Sequence, residues 1–112
     1  MEFYHNPRCK KSRDSLALLQ ERSLTVTIIQ YLKEQLSFDE LKEIILKIGV
    51  SPEHVVRKGE SIFKEKFKGK ELSDDQWIQA MIDYPKLMER PIFVNGEKAV
   101  VCRPPELVLG IL

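Results

Sequence analysis

Apolar and polar positions change period several times along the chain, and each change marks a predicted element. Glu2–Tyr4 is a very short strand candidate, closed by the turn signal Asn6-Pro7. From about Lys10 to Arg22, Ser12, Leu16 and Leu19 recur at helical spacing. Val26–Gln30 is rich in β-branched residues and reads as a second strand. Strand, helix and strand within about thirty residues predict a parallel, right-handed βαβ unit. The middle of the chain is helical. Ser37-x-x-Glu40 forms a capping box, Phe38, Leu41, Ile44, Ile45 and Ile48 follow on one face, and Gly49 ends the helix. Ser51-Pro52 predicts an N-cap with proline at the first position of a short helix ending near Val56–Arg57. Residues 58–70 are charged, with Ile62, Phe63 and Phe67 as anchors but no clear period. Ser73-x-x-Gln76 is a second capping box ahead of the apolar face Trp77, Ile78, Met81 and Ile82, and Tyr84-Pro85 closes that segment. Pro91–Val94 and Glu97–Val101 flank Asn95-Gly96, the strongest short-range hairpin signal. Pro104-Pro105-Glu106 starts a terminal helix carrying Leu107, Val108 and Ile111.

A βαβ unit followed by a ββα unit is the thioredoxin-like arrangement, with a mixed four-stranded sheet in an α/β fold. The expectation is one domain over residues 1–112, with a helical insert at about 33–88. Cys9 then falls between the first strand and the first helix. A chain of 112 residues fits one domain and buries a core without disulfides or metals. The net charge of +1 supplies no global attraction to nucleic acid or an anionic membrane. The two cysteines are far apart, so neither a disulfide framework nor a zinc site is expected. The N-terminus lacks the apolar core of a signal peptide, and no apolar run reaches the length of a membrane span. These features predict a reduced, soluble, cytoplasmic protein with no metal and no tightly bound cofactor. We expect a monomer.

Chemistry concentrates around Cys9. A thiolate is the nucleophilic form of cysteine, and a helix N-terminus stabilises that anion. Arg8, Lys10, Lys11, Arg13 and His5 add positive charge nearby, although a basic run of this kind is also what a solvated face looks like. The local motif is Cys9-Lys10-Lys11-Ser12, with Ser12 where a dithiol motif would place its second cysteine. Cys9 is therefore a monothiol that needs an external thiol to resolve it. Ser12 is a candidate hydrogen-bond donor to the Cys9 sulfur. His5 either tunes Cys9 or packs beside the loop. Cys102 ends an apolar strand and reads as structural.

His5-Asn6-Pro7-Arg8-Cys9-Lys10-Lys11-Ser12-Arg13 resembles the active-site loop of the glutaredoxin-linked arsenate reductases, an ArsC-type family that includes the Spx regulators and the YffB-like proteins. Val55-Val56-Arg57-Lys58, Glu89-Arg90-Pro91-Ile92 and Cys102-Arg103-Pro104 match further segments in order. The resemblance implies that Cys9 attacks arsenate and that Arg57, Arg90 and Arg103 bind the oxyanion. It implies a cis bond at Arg90–Pro91. It also implies glutathione as co-substrate and glutaredoxin as partner. Any one of these arginines taken singly would read as a surface or salt-bridging residue. Arg90 and Arg103, however, sit at the ends of the predicted hairpin, which places them on one side of the sheet. The chain ends at Leu112, where some reductases of this type continue, and Lys10-Lys11 makes the loop more basic than in some relatives. Two alternatives stand beside arsenate reduction. One is a glutathione-dependent thiol reductase without arsenate activity. The other is a Spx-like regulator that binds RNA polymerase, which the missing second cysteine disfavours.

Overall fold

Four short strands form the sheet in the computed structural model, which describes all residues Met1–Leu112. They are β1 (Glu2–Tyr4), β2 (Thr27–Ile29), β3 (Ile92–Asn95) and β4 (Lys98–Val101), in the order β2-β1-β3-β4. β1 pairs parallel to β2, with Phe3 opposite Ile28, and antiparallel to β3, with Phe3 opposite Phe93. α1 (Lys10–Glu21) connects β1 to β2, as the βαβ pattern predicts. β2 is shorter than the apolar run that announces it. This mixed sheet with its helices is a thioredoxin-like α/β fold.

The chain packs as two units. Met1–Glu34 and Arg90–Leu112 form the first, and Gln35–Glu89 the second. In the first unit Phe3, Leu19, Phe93, Cys102 and Val108 make a fully buried core. Leu16, Leu24 and Val26 pack against it. Their burial removes apolar surface from water, the main force holding sheet to helix.

The C-terminal segment differs from its predicted form. It is a 3₁₀ helix over Pro105–Ile111, not an α-helix. Gly110 and the β-branched Val108 and Ile111 lower α-helical propensity. Pro105, Val108 and Ile111 recur every third residue, the repeat of a 3₁₀ turn, with Val108 buried and the other two half-buried. The hairpin also differs by one position. Asn95 pairs with Lys98, so Gly96-Glu97 forms the turn. Gly96 takes a φ of +61°, which suits a turn with glycine at its first central position. Asn95 stays in the strand, where its Nδ2 donates to the Ile111 carbonyl at 2.7 Å.

The second unit contains α2 (Phe38–Ile48), α3 (Ser61–Lys66) and α4 (Asp74–Asp83), with 3₁₀ turns at Pro52–Val55 and Pro85–Leu87. Both predicted capping boxes form. Ser37 and Ser73 each accept from the N3 backbone, and Glu40 and Gln76 reach back to the cap. Gly49 ends α2 at a φ of +83°, the left-handed conformation glycine adopts without strain. α3 resolves the charged stretch without a clear period, with Phe63 stacked on Trp77 at 6.1 Å between ring centroids. No helix is long and apolar enough to cross a membrane.

Candidate active site

β1 ends at Tyr4, and the chain turns through residues 5–9 into α1. The turn is stitched by its own sequence. Asn6 Oδ1 accepts from the Arg8 amide at 3.1 Å, and the Asn6 carbonyl accepts from the Cys9 amide at 3.0 Å. Cys9 is the N-cap of α1, in extended conformation (φ −91°, ψ 123°), and its side chain makes no capping bond. Its carbonyl accepts the first helical bond, from Arg13 N at 3.0 Å. The half-buried thiol is thus left for other chemistry at the positive end of a helix of 12 residues with no acid in its first turn.

Ser12 does not reach the sulfur, contrary to expectation. Its side chain is fully buried and shares a 2.6 Å hydrogen bond with His5 Nδ1 while accepting from the Asn6 amide at 3.0 Å. Ser12 therefore fixes the loop backbone. His5 is buried and packs on Phe3 at 5.6 Å between ring centroids. Burial lowers its pKa from the ordinary 6.5, and the Arg13 charge acts in the same direction. Two of the loop's cations are occupied elsewhere. Arg13 Nη1 donates to the Pro7 carbonyl at 2.9 Å, and Lys10 pairs with Asp14 at 3.0 Å.

The cation on the sulfur comes from the far end of the chain. Arg103, just beyond β4, donates from Nη2 to Cys9 Sγ at 3.5 Å and from Nε to the Arg90 carbonyl at 2.6 Å. Arg90 precedes β3, so the hairpin brings both arginines to one end of the sheet, as their positions at its ends predict. The buried Nε of Arg90 has no hydrogen-bond partner, which is a donor free for an acceptor. Arg90–Pro91 is cis, and so is Arg103–Pro104, which the sequence reading did not anticipate. The Cys102 amide donates to the Pro91 carbonyl at 2.9 Å.

Arg57 belongs to the second unit. Its amide donates to the Leu87 carbonyl at 2.6 Å and its guanidinium pairs with Glu60 at 3.3 Å. Val56 bridges Met88, and Glu89 N donates to Val55 O at 2.7 Å. This ties the Arg57 segment to the stretch from which the chain runs into Arg90. The structure thus brings Cys9, Arg90 and Arg103 together. Arg57 belongs to the second unit, within the insert.

Cys102 is fully buried, and burial pushes its thiol up to about 12. It is a core residue, as its place in the strand pattern indicates.

Beside the Cys9 loop lies a cleft of about 310 Å³, lined by residues 5–8 and by Gln30, Leu32 and Lys33. Sequence reasoning missed the last three. They carry no motif, and the parallel pairing of β2 with β1 is what brings them next to the loop.

The ArsC family pattern matches residues 4–111 of the chain. An Escherichia coli K12 protein called YfgD, described as uncharacterized, is 41% identical over 100% of this chain and 96% of its own length. An arsenate reductase of Haemophilus influenzae is 40% identical over 98% of this chain and 97% of its own. Among solved structures, an arsenate reductase from Vibrio cholerae superposes with a TM-score of 0.95 at 42% identity, covering 100% of this chain and 98% of that one.

Proposed function

Because the chain belongs to the ArsC family, we propose that it reduces arsenate to arsenite with Cys9 as nucleophile, drawing electrons from glutathione and glutaredoxin. One observation carries this reading. A single guanidinium, anchored on the Arg90 carbonyl, donates to the Cys9 sulfur. A cation so placed serves an anionic nucleophile and an anionic substrate at once.

Arsenate is a tetrahedral oxyanion, and guanidinium groups bind such anions through charge-assisted, often bidentate hydrogen bonds. Arg103 and Arg90 offset the repulsion between thiolate and incoming anion. Arg57, from the insert, is the third oxyanion ligand in this proposal. During attack, charge gathers on the arsenic oxygens, where fixed donors lower the barrier. The Cys9 sulfur forms a bond to arsenic, and an As–O bond breaks to release hydroxide or water. Glutathione sulfur then bonds to the same arsenic, with loss of a second oxygen as water. A glutaredoxin thiolate attacks the glutathione sulfur and forms a mixed disulfide. The S–As electron pair stays on arsenic, which falls from the +5 to the +3 state. Hydrolysis of the remaining Cys9–As bond releases arsenite and the thiol. An external donor is required because Cys102, the other cysteine, is sealed in the core.

The test supplies arsenate, glutathione and glutaredoxin and measures arsenite directly, with a small disulfide offered in a parallel reaction. Arsenite formation is expected. Turnover of the disulfide with no arsenite would instead assign the protein to the glutathione-dependent thiol reductases.

A further inference from the structure

The cleft lined by residues 5–8 occupies one flank of the nucleophile's loop, and the arginine pair comes from the other. Arg90 precedes β3 and Arg103 follows β4, whereas Gln30, Leu32 and Lys33 follow β2. In the sheet order β2-β1-β3-β4, the strand that leads into Cys9 lies between these two sources. A reaction in which an oxyanion and a thiol meet at one sulfur needs two such approaches.

The cleft walls are held in place by backbone bonds. His5 N donates to the Ile29 carbonyl at 2.8 Å, extending the β1–β2 ladder into the loop. Lys33 N and Glu34 N both donate to the Gln30 carbonyl at 2.9 Å, while Glu34 Oε2 accepts from Gln30 N at 2.9 Å. The one carboxylate on this turn is therefore engaged with the backbone. The lining combines apolar surface from Pro7 and Leu32, an amide from Gln30, and two exposed cations, Arg8 and Lys33. Neither cation enters an ion pair. Preformed concave sites of this kind take small molecules, with sparse polar groups fixing orientation.

We infer that this cleft seats the reducing co-substrate, a low-molecular-weight thiol bearing carboxylates and peptide amides. Arg8 and Lys33 pair with its carboxylates, Gln30 bonds an amide, and Pro7 and Leu32 cover its aliphatic part. Arg8 is the residue next to Cys9, so a thiol held there enters from the flank opposite the arginine pair. The inference rests on the proposed function in one respect, the need for an external thiol.

Glutathione is the probe. It is titrated into isotope-labelled Cys9→Ser protein, which cannot form a mixed disulfide, and backbone amide shifts are followed by NMR. The amides of residues 5–8 and 30–33 are expected to move. Esterifying the glutathione carboxylates, or the substitution Lys33→Glu, is expected to weaken binding roughly tenfold, the effect of losing a charge-assisted contact. In turnover, Lys33→Glu raises KM for glutathione but leaves KM for arsenate unchanged. Shifts confined to other residues, or affinity indifferent to both changes, would overturn the inference. Localised, carboxylate-dependent binding by a protein that makes no arsenite would uphold the cleft and refute the reductase reading.

Discussion

Arg103 does two jobs with one planar group. Its Nε holds the Arg90 carbonyl while its Nη2 faces the Cys9 sulfur. A lysine has no such fork, so the two contacts need a guanidinium. Arg103→Ala is expected to lower kcat/KM for arsenate by ~10²–10³, the usual cost of one oxyanion donor, with Arg103→Lys recovering only part of it. Steady-state arsenite kinetics check both. His5 makes a separate prediction at this scale. Its folded pKa lies below the ordinary 6.5. Above that pH both folded and unfolded forms are neutral and the full stability is present. As pH falls below it, the unfolded chain takes up a proton before the native one, and stability declines until the folded pKa is passed. Urea unfolding from about pH 7.5 down to about pH 5 is therefore expected to show a decline that is shallower in His5→Gln.

At the scale of elements, much of the fold was legible because its signals are local. Ser37-x-x-Glu40 and Ser73-x-x-Gln76 each satisfy helix N-terminal donors within one turn, and both form as read. Ser73→Ala is expected to cost about 1 kcal/mol, read from chemical denaturation. What was not legible depends on partners distant in sequence. The hairpin register moved by one residue because Asn95 finds the Ile111 carbonyl, sixteen positions on. Val108 of the C-terminal 3₁₀ segment is buried in the core with Phe3, Leu19 and Phe93. At Gly96 an added Cβ meets nothing within 4 Å, so the cost of Gly96→Ala comes from its positive φ alone, and about 1 kcal/mol is expected in the same experiment. The candidate site divides along the same line. Cys9 and its helix start could be read from ten consecutive residues. The diversion of Ser12 to His5, and the Lys33 wall of the cleft, needed the sheet.

For the whole molecule, the two cysteines are separated by environment rather than by chemistry. Cys9 is half-buried at a helix start, and Cys102 is fully buried with its thiol pushed up to about 12. A thiol reagent added to the folded protein is expected to label Cys9 alone, with Cys102 reacting only after denaturant is added. Mass spectrometry of the labelled peptides reads this out. The same separation tests the central claim that Cys9 is the atom that takes arsenate. Arsenite formation with glutathione and glutaredoxin is to be measured for the native chain, Cys9→Ser and Cys102→Ala side by side. The account predicts background rates for Cys9→Ser and near-native rates for folded Cys102→Ala. Arsenite production that survives Cys9→Ser would contradict it.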